Sequence, residues 1–154
     1  TMAGSDDDEV NRQVADLTFK VRRELVAAIR TEADRMADAV KAAAPVKTGT
    51  LRDSVKVRRT RNDLTLYVTA GGAATTKYYD RSTGYEREVI IDGRSNEGIA
   101  KQADGAGVSY DYSQAIEFGA TDHPAEPFFY PTIRAMEDEI NANIQAAMEK
   151  AFND

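Results

Sequence analysis

Tyr112-Ser113-Gln114-Ala115-Ile116-Glu117-Phe118-Gly119-Ala120-Thr121-Asp122-His123-Pro124-Ala125-Glu126-Pro127-Phe128-Phe129-Tyr130-Pro131 is the stretch on which the fold turns. It carries three of the four prolines and three of the five phenylalanines. Pro124, Pro127 and Pro131 each fix φ and remove a backbone donor, which excludes a regular helix or a central strand through this region. The stretch therefore reads as an ordered loop, with a short helical turn over Tyr112 to Phe118. Phe118, Phe128 and Phe129 are expected to hold it down, since a fully buried Phe contributes about 1.5–3 kcal/mol. Read this way, it is a rigid joint that plugs a core.

Apolar residues recur at helical spacing on both sides of this joint. Behind it, Ile133, Met136, Ile140, Ile144, Ala147, Met148 and Phe152 follow steps of three and four, and Pro131 stands where a first-turn proline is tolerated. At the other end of the chain, Val10, Val14, Leu17, Val21, Leu25, Ala28, Ile29, Met36 and Val40 do the same, with charged residues on the opposite face. Asp6 to Asp8 suit the positive end of that helix, and Pro45 limits its far end. A helix from Val10 to Ala43 would be roughly 50 Å long, against a diameter of about 40 Å for a compact chain of this size. Either the helix breaks near Arg30 and Thr31, or its first turns overhang and bury their stripe on another copy.

Between the helices the period changes. Pro45-Val46-Lys47-Thr48-Gly49-Thr50 is a turn, and Thr50 with Asp53 has the spacing of a weak cap for a short helix over Leu51 to Ser54. Val55 and Val57, then Leu64, Leu66 and Val68 beyond Arg61-Asn62-Asp63, alternate with polar residues and predict a β-hairpin with one face on a core. Residues 71–108 read as a mobile excursion. Glu86 to Ile91 is a candidate strand, and Arg94 to Gly107 is glycine-punctuated and without period. The class is α+β: a long N-terminal helix and a C-terminal helix packed on a small antiparallel sheet, with the irregular insertion before the joint. Residues 10–154 form one domain. Residues 1–9 are expected to be a disordered acidic terminus or a cloning remnant.

The bulk numbers restrict function. Among 154 residues, 20 Lys and Arg stand against 26 Asp and Glu, a net charge of −6. Such a chain is not drawn to nucleic acid by bulk charge. No Cys is present, so a disulfide framework, a thiolate nucleophile and a cysteine metal site are all absent. No apolar run approaches the roughly 20 residues of a membrane helix, and the acidic start lacks the features of a signal peptide. A soluble chain without membrane contact is expected.

Reactive chemistry finds little support. His123 is the only histidine, and Asp122 and Glu126 beside it are a weak metal-site or hydrolase candidate that lacks a second histidine or a cysteine. Ser54, Ser82, Ser109 and Ser113 have no nucleophile elbow around them, and Gly105 to Gly107 has no strand-to-helix context for a phosphate loop. Glu137-Asp138-Glu139 reads as a solvated helix face. No catalytic residue, cofactor site or metal site is expected. Glu117, between Ile116 and Phe118, is a candidate for an ion pair, with Arg52 as its partner. Lys47, Arg52, Lys56, Arg58, Arg59 and Arg61 crowd the turn and hairpin of an otherwise acidic chain. Of these, Lys56, Arg58, Arg59 and Arg61 form a candidate contact for an anionic partner, either phosphates or an acidic protein surface.

Two pieces of sequence together resemble a known family: Ala43-Ala44-Pro45-Val46-Lys47-Thr48-Gly49-Thr50-Leu51-Arg52-Asp53-Ser54, and Tyr112 to Gly119 followed by Glu126-Pro127-Phe128-Phe129-Tyr130-Pro131. Their order is similar to that of the tail-component, or neck and tail-completion, proteins of long-tailed bacteriophages, to which minor tail protein Z of phage lambda is similar. The residues carrying the likeness are Pro45, Thr48, Gly49, Leu51, Arg52, Tyr112, Glu117, Phe118, Gly119, Pro127, Phe128 and Pro131, which should form the joint between helices and sheet. The long stretch from Gly71 to Val108 and Tyr130 depart from the family pattern. The resemblance implies a non-enzymatic virion protein, assembled in the bacterial host cytoplasm. It would form a homo-oligomeric ring, sixfold by expectation, at the head-proximal end of the tail and prepare the tail for head joining. Its implied partners are further copies of itself, the tail terminator or tail tube, and head-connector proteins, with incidental contact to DNA in the channel. The alternative is a nucleic-acid-binding adaptor that uses the basic hairpin.

Overall fold

The computed structural model describes residues 3–80, 86–87, 107–121 and 123–154. Helix α1 runs unbroken over Ala3–Ala43, 41 residues and roughly 60 Å. It begins seven residues before the expected Val10, so most of the stretch assigned to an acidic terminus outside the fold is helical. Thr31, at the suspected break, donates its hydroxyl to the Ala27 carbonyl at 3.0 Å and leaves the helix continuous. Of the two outcomes the length allowed, the overhang is the one observed.

After α1 the chain turns through Gly49, at φ 84°, into α2, Thr50–Ser54. The left-handed backbone at Gly49 opens this helix without a side-chain cap, so the expected pairing of Thr50 with Asp53 is replaced by glycine geometry. Thr48 and Thr50 share a hydroxyl hydrogen bond at 3.0 Å instead. Strands β1, Lys56–Arg59, and β2, Leu66–Thr69, then form the predicted antiparallel hairpin, with Val57 opposite Val68 and Arg58 opposite Tyr67. Its loop is fastened by Asn62, whose side-chain oxygen accepts from the Leu64 amide at 3.0 Å, and by the Thr60 hydroxyl.

Within the excursion read over residues 71–108, the described residues at its two ends are in regular structure. A 3-10 turn over Ala73–Thr75 leads into β3, Thr76–Asp80, which pairs antiparallel with β4, Glu86–Arg87, and with β5, Gly107–Asp111. The ends of that segment thus build a second sheet, ordered β4-β3-β5. Pairing across so many intervening residues leaves no local trace in the sequence. The strand expected over Glu86 to Ile91 is present as β4, with its remainder outside the described residues, as is the aperiodic part from Arg94 to residue 106.

Helix α3, Tyr112–Phe118, follows β5 directly, and α4, Tyr130–Asn153, closes the chain with Pro131 in its first turn. Antiparallel packing of α4 on α1 follows from the pairs Arg35–Glu139 and Glu32–Asn143, at 2.8 and 3.2 Å. Glu32 is buried there and also accepts from Arg35 at 2.6 Å. The core gathers Ala37, Val40, Ala44, Leu51, Val55 and Phe128, with Val57, Val68, Tyr112, Ile116, Phe129 and Ile133 against it. Both long helices, the hairpin and the joint meet at this one cluster, an α+β architecture. Among the described residues no helix is long and apolar enough to cross a membrane.

Candidate functional site

The joint is held by two carboxylates. Glu117, 7 % exposed, accepts the amides of Phe128 at 2.8 Å and Phe129 at 2.9 Å on Oε2, and of Tyr130 at 2.9 Å on Oε1. These donors belong to the opening of α4, whose own N-cap residue, Phe129, supplies no side-chain cap. A carboxylate from another helix therefore serves the unsatisfied amides and faces the positive end of the α4 dipole. Burial by itself would raise the Glu117 carboxyl. The hydrogen bonds from Phe129, Tyr130 and Phe128, with the charge of Arg134, outweigh it and hold the group below its ordinary value. The expected Arg52–Glu117 ion pair does not form. Arg52 is exposed, bonds Asp53 at 3.3 Å and folds back over Gly49.

Asp111 is the second carboxylate, and the sequence reading missed it. Its Oδ1 accepts from the Ser113 amide at 2.9 Å, capping α3, and from the Thr75 hydroxyl at 2.6 Å, while Oδ2 accepts from the Gly72 amide at 2.7 Å. Asp two residues before Ser at the start of a helical turn is a capping signature that could have revealed the first of these bonds. The Gly71 amide donates to Ser54 Oγ at 2.8 Å, and Ser54 in turn donates to the Leu51 carbonyl at 2.6 Å. Hairpin, 3-10 turn, α2 and α3 are thus tied at one place.

Of the predicted joint residues, Leu51, Tyr112, Glu117 and Phe128 come together here. Leu51 and Phe128 are buried in the core and Tyr112 packs on it, with Lys77 Nζ 5.6 Å from the Tyr112 ring centre. Gly119, at φ 82°, ends α3 where a Cβ would meet the Ala125 amide at 3.1 Å. Pro45 follows α1, Thr48 precedes Gly49, and Pro127 is exposed before Phe128. Phe118 departs from expectation: it is 67 % exposed and rests against Tyr130 at 5.9 Å between ring centres. Because α3 is helical, Ser113, Ile116 and Glu117 share its inner side, and Phe118 is carried outward. His123 Nε2 lies 3.7 Å from Glu126, with both side chains about half exposed, and Asp122 is outside the described residues. Among the described residues no cluster could hold a metal ion.

Two exposed surfaces stand out among the described residues. Val10 and Val14, each 57 % exposed, and Leu17, 43 % exposed, continue the stripe that becomes partly buried from Val21 onward, where α4 reaches. The hairpin presents the second surface. Lys56, Arg58, Arg59 and Arg61 are all exposed, and none forms an ion pair with a described acidic residue. Across from Arg58 stands Tyr67, 58 % exposed. The sequence showed no aromatic among these cations, because the one that joins them comes from the partner strand.

Glu117 and Asp111 thus fasten the frame of the domain, and the apolar start of α1 and the cationic ribbon are exposed beside it. The family model described as "Bacteriophage HK97-gp10, putative tail-component" matches residues 8–119, from the overhang of α1 to the glycine that ends α3. The chain belongs to this family of phage tail components, and as such is a virion protein. No curated protein and no solved structure matches it.

Proposed function

We propose that the chain is a non-enzymatic, ring-forming subunit at the head-proximal end of the tail, where it completes the tail for joining to a filled head. The observation that carries this reading is the α1 overhang. About 18 residues, roughly 27 Å of helix, project beyond the end of α4 and keep an apolar stripe open to water. A stripe continuous with a packed helix face is surface for another protein to cover. Assembly takes place in the host cytoplasm, with the tail tube or terminator on one side of the ring and the head connector on the other. Electron microscopy of particles made without the protein tests the placement. Full-length tails that fail to attach to heads, and attach once the purified protein is added, are expected. Tails that join heads normally in its absence would overturn it.

The competing reading, an adaptor that grips DNA, draws on Tyr67 among the hairpin cations. Its sign would be duplex binding that falls steeply with salt and is lost when Arg58, Arg59 and Arg61 are replaced.

A further inference from the structure

We infer that the outer face of the β1–β2 ribbon, bearing Lys56, Arg58 and Tyr67, is the seat for the N-terminal overhang of a second copy of the chain, in a head-to-tail contact. This rests on the reading of the protein as a self-assembling tail component. The two surfaces are complementary. The overhang opens with Asp6-Asp7-Asp8-Glu9 and continues into the exposed Val10, Val14 and Leu17. The ribbon offers cations without acidic partners among the described residues, grouped around an exposed aromatic ring. Acid against base steers and orients the contact, and the valines against Tyr67 exclude water from its centre.

The geometry denies this pairing to a single molecule. Arg22 of α1 bonds Asp63 in the hairpin loop, so the hairpin lies along α1 with its tip at Arg22 and its base in the core beside Val55. Asp6 to Glu9 sit roughly 20–24 Å further along the same helix, away from that tip. An unbroken helix cannot fold its own start back onto its own ribbon. Glu9 is engaged locally with Arg12 and Gln13, while Asp8 is exposed, and the sequence places two further acids, Asp6 and Asp7, directly before it. Because the donor surface and the acceptor surface differ, the contact is heterologous and propagates from copy to copy, closing into a ring where the rotation allows.

Sedimentation of the full chain over a range of concentration and salt tests this, with two surface variants: Asp6→Asn/Asp7→Asn/Asp8→Asn on the overhang and Lys56→Gln/Arg58→Gln/Arg59→Gln on the ribbon. Each variant alone should associate at least about tenfold more weakly than the unaltered chain, and that chain should itself weaken as salt rises through the range where the screening length falls below about 8 Å. An equimolar mixture of the two variants should form a one-to-one dimer, since it retains one intact contact. Circular dichroism should show both variants folded. Rings unaffected by either variant, or a mixture that stays monomeric, overturn the inference and leave the ring reading standing. Loss of binding to a labelled DNA duplex without any change in association also overturns it and assigns the ribbon to nucleic acid. An unaltered chain that stays monomeric at every concentration, and on isolated tails, overturns both readings.

Discussion

Glu117 illustrates how a residue that reads as one half of an ion pair can do different work. Two oxygens serve three backbone donors, and each donor left unpaired on burial costs about 1–3 kcal/mol. Glu117→Gln keeps the shape but turns an NH2 group toward donors, so its denaturation midpoint should fall by the equivalent of about 2–3 kcal/mol. The same group sets part of the acid response. In the folded chain its carboxyl is held below the ordinary value, so the folded state takes up this proton less readily than the unfolded state does. Its contribution is whole above the ordinary glutamate pKa of about 4.3 and is lost as pH falls through the lowered folded value. Unfolding titrated in that acid range should show a steeper loss for the unaltered protein than for Glu117→Gln. At Gly71, φ is +88°, and an added Cβ would lie 2.2 Å from Ser113 Oγ and 2.7 Å from Asp111 Oδ2. Gly71→Ala should therefore cost about 2 kcal/mol or more, while Gly72→Ala, with open space at its Cβ, carries only the backbone penalty of its φ of +116°. Chemical denaturation of the pair separates the crowding from the backbone cost.

Among the elements, α1 divides into two functional lengths. From Val21 onward its stripe packs within the molecule, and before Leu17 it does not. Val14→Ala should thus leave the stability of the isolated subunit within about 0.5 kcal/mol, whereas Phe128→Ala, in the core, should cost about 3–5 kcal/mol. Thermal unfolding reads both, and association measured beside it should show the opposite ranking for Val14. The amphipathic periods of α1 and α4 and the alternation of the hairpin were legible because each is written within a few successive turns or pairs. The second sheet was not. Its strands β3 and β5 bring Thr76 opposite Asp111 and Asp80 opposite Gly107, and such register depends on where the intervening chain returns. The aromatic stretch was legible as a joint and α3 within it as a helical turn, but the inner side of that turn was not legible, and Phe118, expected to be buried, is turned outward.

For the whole molecule, the overhang makes an elongated subunit of a chain that could have been compact. Removal of the residues before Lys20 should leave the melting temperature within about 2 °C of the full chain, since the first described side-chain bond from α1 to another element is Arg22 to Asp63. The same removal should abolish ring formation, as gel filtration with light scattering would show.

The sequence by itself determined the class of the fold, the two amphipathic helices, the hairpin, the place of the joint and the family, because these depend on local period and on short motifs in a given order. Only the tertiary structure decided that Glu117 caps α4, that Asp111 ties the start of α3 to the 3-10 turn, that Tyr67 stands among the hairpin cations, and that the first turns of α1 stand clear of the body. Each of these depends on which distant residues are brought within about 3–6 Å of one another, and that is set by the summed packing of the helices and strands rather than by any neighbouring residue.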